Sequence, residues 1–490
     1  MRTRFAPSPT GLLHIGGVRT ALFAWLMAKK TKGTFILRIE DTDRAREVTG
    51  AVENILKTLI WAGLKPGEGV VLENGKIAEK GGFGPYVQSK RLEYYLKSAK
   101  ELVLSGKAYH CFCSPERLEK MRKDQEVRHQ APMYDRTCLE LSSEEIKTKI
   151  ANGEKFVIRM KIPREETIEY DDGIYGKLSF KGHTVDDQVL IKSDGFPTYH
   201  LAHVVDDHLM KMDLIIRGEE WLSSLPKHLL LFRFLGWDPP KYAHVPLLLN
   251  QDRSKLSKRQ NDVAAGHYIE KGYLPEALIN FLALLGWNPG TEQEIFSREE
   301  LVEAFSLDRV QKSGAVFDLK KLDWVQGQWM RKIPPEDFAA RIKPLVVARY
   351  PAAADDEKFI EKAALIQARI TFFPEAVDML SFFYEEPKVA KDLLVNPKQG
   401  VTEKDLSRLI ELLQVTLKNI PESEWNTDSL KNAIEAVVVK ENLKRGQLLW
   451  PLRAALTGRE YSPGAYEVAG LLGKDKTIER LKKAGELMDR

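Results

Sequence analysis

The sequence predicts an α/β protein: a mainly parallel sheet, split by an insertion, then an all-α C-terminal region. Three observations predict it. Residues 1–40 read strand, helix, strand; sheet-type segments return near residue 213; and from about residue 331 the apolar spacing is helical. Residues 3–6 form a short strand-like run that enters Pro7-Ser8-Pro9-Thr10-Gly11, where prolines and glycine force a loop. Gly16-Gly17 opens a segment whose apolar residues, Ala21, Leu22, Trp25, Leu26 and Ala28, have helical spacing. Lys29, Lys30 and Lys32 suit the negative end of that helix, and Gly33 stops it. Residues 34–39, TFILRI, give a second strand, and this order implies parallel pairing. The pattern changes after Gly81-Gly82-Phe83-Gly84-Pro85. A helix near 89–105, a stretch holding every cysteine and mixed strands to about 190 read as an insertion. Residues 213–217 (DLIIR), a helix at 226–235 and the apolar run 245–249 resume the sheet. Helices are expected at 355–368, 403–417 and 427–439.

Composition narrows the class. The 490 residues carry 74 Lys plus Arg and 70 Asp plus Glu, a net charge of +4. Any nucleic-acid contact must therefore come from local basic patches. With 43% hydrophobic residues the chain can bury several cores, and disorder is not expected. No run approaches the roughly 20 apolar residues of a membrane helix, and Arg2, Arg4, Pro7 and Pro9 leave no room for a signal peptide. Three cysteines point to a reducing compartment rather than a disulfide scaffold.

Two segments carry chemistry. The loop 7–17 joins a strand to a helix at the carboxyl edge of the sheet, where such folds bind ligands. Free N–H groups at the helix start suit an anion. Gly16 and Gly17 let a base or phosphate approach, and His14 can donate to phosphate oxygens. The plainer reading is a turn with a surface histidine. The second segment, 252–259, gathers Arg253, Lys255, Lys258 and Arg259 beside small hydroxyls. A triphosphate needs such cations to follow its charge during transfer; the alternative is a solvated basic loop. The chain has neither G-x-x-x-x-G-K-[ST] nor G-x-G-x-x-G.

Together, P-S-P-T-G-L-L-H-I-G at 7–16 and K-L-S-K-R at 255–259 resemble the two signatures of class I aminoacyl-tRNA synthetases. R-I-E-D-T-D-R at 38–44, F-P-T-Y-H-L-A at 196–202, V-V-D-D-H at 204–208, I-I-R-G-E-E-W at 215–221 and K-R-G-Q-L-L-W-P-L-R-A-A-L-T-G at 444–458 resemble the glutamyl-tRNA synthetases, bacterial type. The resemblance spans essentially the whole chain. It implies a Rossmann-type catalytic domain in two halves, 1–84 and 191–250, around an acceptor-end-binding insertion at 85–190. A stem-contact region, 251–330, and a helical anticodon-binding region, 331–490, would follow. The implied reaction is glutamate plus ATP to glutamyl-adenylate, then transfer to tRNA(Glu), with magnesium accompanying ATP. The implied setting is a cytoplasmic monomer.

The resemblance also implies roles. His14 and Lys258 would contact the transition state, with Lys255 supporting the loop. ATP would meet His14, Gly16, Gly17, Trp221, Leu256, Ser257 and Lys258. Gly17 stands where class I enzymes often carry His, so it can offer only backbone. Arg4 and Arg217 match carboxylate-binding arginines, Glu40 the acid that holds the α-amino group, and Tyr199 a side-chain contact. His203 sits where some relatives carry Asn, and Ser8 is a further contact. Seen singly, Arg4, Glu40 and Arg217 would read as surface ion pairs. His200, His203, Asp206, Asp207 and His208 suggest a metal in isolation. Two of these positions fall in the substrate segment, so Asp206 and Asp207 are assigned structural or tRNA-facing contacts.

For tRNA, residues 440–459 place five cations against Glu441 alone. Lys444, Arg445 and Arg453 are expected contacts, and Arg369 is expected on a helix to reject the glutamine anticodon. Trp425 and Trp450 are expected in the core rather than on bases. Cys111-Phe112-Cys113 and Cys138-Leu139-Glu140 suit a structural zinc, two thiolates from one turn and a third closing the site. Some relatives place His as fourth ligand, and Glu140 occupies that position here. The alternative is three free thiols. The enzymatic rival is a glutaminyl-tRNA synthetase, which R-I-E-D-T-D-R and the two arginines disfavour. A shortened paralogue would lack the C-terminal third. A non-catalytic tRNA-binding module is opposed by His14, Glu40, Arg217 and Lys258.

Overall fold

The computed structural model describes residues 1–256 and 263–488, in two compact units, Met1–Val325 and Gln326–Arg490. The first is built on a six-stranded sheet. Across it run Lys241–Val245, Leu214–Gly218, Arg2–Phe5, Thr34–Leu37, Glu68–Glu73 and Lys76–Lys80. The first five are parallel and the last is antiparallel. The antiparallel edge follows from Asn74-Gly75, both at positive φ, a two-residue hairpin turn. The strand expected at 245–249 ends instead at Val245, because Pro246 has no N–H to continue the ladder. Leu248–Leu249 pairs with Ala315–Val316.

Helix Ile15–Lys30 packs against the sheet, capped by the His14 imidazole, whose Nδ1 accepts from the Gly16 N–H at 2.8 Å. At its far end a Cβ on Gly33 would sit 2.0 Å from the Met1 carbonyl, so only glycine fits. In the insertion, Ala108–Cys111, Val157–Met160 and Val189–Ile191 form a separate antiparallel sheet. The hairpin Thr167–Asp172/Gly176–Lys181 leaves it and docks on the main sheet: Gly173 N–H donates to Tyr242 O at 2.8 Å.

Helix Tyr199–Leu209 carries Asp206 and Asp207, both fully buried. This excludes the tRNA-facing alternative for them. Asp207 accepts from Arg38 Nη1 at 2.7 Å and faces Arg4 Nε at 3.3 Å; Asp206 accepts from Arg91 Nε at 2.6 Å, Tyr95 OH at 2.8 Å and Gln88 Nε2 at 2.9 Å. Two strands, a helix and the segment 88–95 are thus tied to one pair of carboxylates.

The second unit is helical among its described residues. Helix Glu403–Lys418 is typical: Leu406, Leu409, Ile410, Leu413 and Leu417 form its buried stripe. The helix expected from 355 begins at Phe359, because the Asp356 carboxylate accepts from Lys358 N–H and holds a turn there. No helix among the described residues is long and apolar enough to cross a membrane.

Burial alone would raise Asp207, but Arg38 and Arg4 hold its carboxyl well below the usual range. Its stabilising effect is therefore complete above the unfolded pKa, about 3.9, and fades as pH falls through the folded value. Asp207→Ala, which strands two buried guanidiniums, should lower unfolding free energy by about 3–5 kcal/mol. Urea unfolding at pH 7 reads this, and a loss below about 1 kcal/mol contradicts it.

Candidate active site

At the carboxyl ends of the parallel strands lies a cleft of about 780 Å³. It is lined by Arg4, Ser8, His14, Gly16, Gly17, Glu40, Tyr199, Arg217, Trp221, Lys255 and Leu256. Of the described residues expected at the substrate and nucleotide sites, only His203 is absent from this lining. It is fully buried beneath Tyr199, the two rings stacked at 5.2 Å. Its Nδ1 lies 2.7 Å from Asp207 and its Nε2 3.1 Å from the Tyr242 hydroxyl, so it supports the wall rather than touching what enters.

The cleft floor is electropositive in two different ways. Burial is the largest influence on Arg4 and lowers its pKa, but Asp207, with Tyr199 and Glu40, more than offsets it and leaves the pKa raised. Arg217 has a different environment. Its Nε–H donates to His244 Nε2 at 2.9 Å and its Nη1 reaches His228 Nδ1 at 3.0 Å and Tyr199 OH at 3.2 Å. The guanidinium lies 4.8 Å over the Tyr242 ring. Among the described residues no carboxylate pairs with it directly. An arginine so placed can receive an incoming carboxylate. Glu40 stands across the cleft, receiving Arg38 Nη2 at 3.0 Å; burial raises its pKa, with Arg38 and Arg4 pulling it back.

The imidazoles under Arg217 are neutral. Burial, reinforced by Lys227 and Arg217, lowers His200 to about 3; burial also lowers His203 to about 3 against the pull of Asp207. His228 lies well below its ordinary value for the same first reason. Since arginine only donates, His228 Nδ1 must accept, leaving its Nε2 proton to face His200 Nδ1 at 3.0 Å.

On the other wall, Nδ1 of His14 is engaged by Gly16, which leaves the proton of the neutral ring on Nε2. A Cβ on Gly16 would meet that imidazole at 3.1 Å. His14 bridges to Ala264, and Ile15 N–H donates to Val263 O at 2.8 Å; Leu256 N–H donates to Leu248 O at 2.9 Å. Both flanks of the basic segment are thus pinned beside the first signature. Ser257 and Lys258 themselves lie outside the described residues.

Away from the cleft, the sulfurs of Cys111, Cys113 and Cys138 lie within 4.8 Å of one another. Glu140 is exposed and is not part of the group. The Tyr134 hydroxyl takes the fourth place, 3.4 Å from Cys111 Sγ and 3.3 Å from Cys113 Sγ. Residue 140 ends a short helical turn whose buried side is Cys138, so its carboxylate points elsewhere. Hydrogen bonding from Cys138 and Tyr134 lowers the Cys111 thiol to about 4. Three clustered sulfurs are ligands that zinc accepts.

A family model described as tRNA synthetases class I (E and Q), catalytic domain, matches residues 1–324, and an anticodon-binding-domain model matches residues 337–485. A glutamate–tRNA ligase from Chlorobium phaeovibrioides is 45% identical, covering 99% of this chain and 94% of the relative. One from Finegoldia magna is 44% identical, covering 99% of both. The chain belongs to the glutamate–tRNA ligases. The crystal structure of a glutamate tRNA ligase from Elizabethkingia meningosepticum in complex with its amino acid superposes with a TM-score of 0.85 at 35% identity, covering 100% of this chain and 99% of that one.

In the ligase's C-terminal unit the basic run is less exposed in charge than its sequence suggests. Arg445 pairs with Glu435 at 2.8 Å, and Arg459 grips Asp378 at 2.6 Å. Lys444 is exposed at a helix start. Arg453 lies over the Trp450 ring at 4.7 Å, its pKa lowered by burial and by Arg369 nearby. Arg369 is exposed in the turn after helix Phe359–Gln367, not on the helix. Trp425 and Trp450 pack on the core, their N–H groups donating to Ala469 O and Leu393 O.

Sequence reasoning missed His228, His244 and Tyr134. A lone histidine in the apolar helix Leu225–Phe234 was a signal for the first. Tyr134 was legible only as an aromatic four residues before Cys138.

The lowered histidine values predict silence on titration. In histidine-labelled protein, the ring protons of His200, His203 and His228 should not shift between pH 5 and 8. An inflection near the free value of about 6.5 contradicts the buried-neutral arrangement. Their stabilising effect is complete above that pH and is lost toward about 3.

Proposed function

We propose that this ligase activates glutamate with ATP as glutamyl-adenylate and transfers the glutamyl group to the 3′ end of tRNA(Glu). The observation that carries it is Arg217: a buried cation at the cleft floor with neutral partners, opposite an acid, Glu40. Glutamate supplies two carboxylates and one ammonium. Arg217 and Arg4 receive the carboxylates, Tyr199 and Ser8 complete the wall, and Glu40 holds the α-amino group. A glutamine side chain would leave a guanidinium unmatched.

ATP lies against His14, Gly16, Gly17, Trp221 and Leu256, and Ser257 and Lys258 are further ATP contacts. His14 donates its Nε2 proton to a phosphate oxygen. Lys255 and Lys258 follow the charge as the glutamate α-carboxylate bonds to the α-phosphorus of ATP and pyrophosphate leaves. Magnesium bound with ATP would neutralise phosphate charge there. No covalent enzyme intermediate is needed; alignment and charge stabilisation supply the rate.

The segment 85–190 receives the acceptor end, 251–330 meets the stem, and 331–490 reads the anticodon. Lys444, Arg445 and Arg453 hold backbone phosphates, and Arg369 beside Arg453 selects the anticodon. The ligase works as a cytoplasmic monomer. A structural zinc held by Cys111, Cys113 and Cys138 ties the insertion together.

Two measurements test this reading. Lys258→Ala should slow pre-steady-state adenylate formation by about a hundredfold or more, the scale of an oxyanion donor, while tRNA affinity stays close to wild type. A fall under about tenfold refutes the role. For the metal, protein purified without chelator should contain about one zinc per chain and lose thermal stability on chelation. A ratio near zero with three titratable thiols removes the site.

A further inference from the structure

We propose that Asp172, carried by the insertion's hairpin, is a positioning residue for the glutamate-binding arginine, acting through His244. This rests on the reading of Arg217 as the carboxylate socket.

Arg217 Nε–H donates to His244 Nε2 at 2.9 Å, so that nitrogen must be unprotonated. The proton of the neutral ring then sits on Nδ1, which lies 2.6 Å from Asp172 Oδ2. Asp172 Oδ1 also accepts from His244 N–H at 3.3 Å and from Ile174 and Tyr175 N–H at 3.0 Å. All three side chains are buried. Arg217 and His244 are direct register partners on neighbouring parallel strands, so the sheet fixes their spacing. Asp172 ends the first hairpin strand, and the turn after it approaches so closely that a Cβ on Gly173 would stand 3.3 Å from Ala243 Cβ.

The chain Asp172–His244–Arg217 does three things. It fixes the imidazole tautomer, because a carboxylate only accepts. It fixes the guanidinium plane, because the Nε–H is held by His244 while Nη1 is held by His228 and Tyr199. It also leaves Arg217 uncancelled: the carboxylate is one imidazole away and does not compete with an incoming one. Burial pushes His244 down, so the ring stays neutral and keeps its Nε2 acceptor.

The test is steady-state ATP–pyrophosphate exchange with tRNA(Glu) on full-length Asp172→Asn. An amide can either accept or donate, so the tautomer is no longer dictated. The KM for glutamate should rise about tenfold, with kcat within threefold and the KM for ATP unchanged. Tyr170→Phe removes another polar contact of the same hairpin, the hydroxyl that meets Tyr242 N–H at 2.7 Å, and should leave the glutamate KM within twofold. In an Arg217→Lys background, which has no Nε–H in that position, Asp172→Asn should add less than twofold. A glutamate KM within twofold of wild type in Asp172→Asn overturns the inference, as does an equal rise in both KM values. If Arg217→Lys itself leaves the glutamate KM unchanged, the reading of the socket fails instead.

Discussion

Two adjacent carboxylates set the architecture. Asp206 and Asp207 sit on one helical turn, fully buried, and draw Arg4, Arg38 and Arg91 from separate elements to one point. A buried ion is tolerable only when paired and hydrogen-bonded. Each arginine must therefore reach this helix for the sheet to close, and each strand arrives in register. The cleft inherits that order. Arg4 and Arg38 present Glu40 and the cleft floor at fixed positions because their far sides are already held.

The second principle is the difference between paired and unpaired cations. Arg38 is consumed by structure, with Asp206, Asp207 and Glu40 around it. Arg217 is given imidazoles, a phenol and an aromatic face. Those partners orient a guanidinium without neutralising it, and burial keeps the imidazoles themselves uncharged. A site built this way binds an anion strongly and tolerates its neutral isostere poorly, since the cation would stay buried and unmatched.

Much of this was legible in the sequence. Pro7–Gly11 marked the loop, Gly16-Gly17 the helix start, and Arg4, Glu40 and Arg217 the strand ends, because local chemistry and chain order specify such features. His203 was placed in the pocket by the resemblance; one helical turn on from Tyr199 and on the same face, it stacks beneath that ring and is held by Asp207 instead of lining the cleft. Glu140 was matched by position, but the turn at Thr137–Glu140 directs it to solvent while Tyr134 meets the sulfurs. Arg445 and Arg459 stood out as cations of the basic run; their acid partners Glu435 and Asp378 are brought beside them by the fold. Asp172 had no sequence signal at all: its partner lies on another strand, and only the folded hairpin brings them together.

The central claim is that the cleft selects a second carboxylate. The direct measurement is kcat/KM for glutamate against glutamine in tRNA-dependent ATP–pyrophosphate exchange by the wild-type ligase. A buried cation left unmatched predicts a preference for glutamate of about a thousandfold or more. Ratios within tenfold of unity would contradict the account.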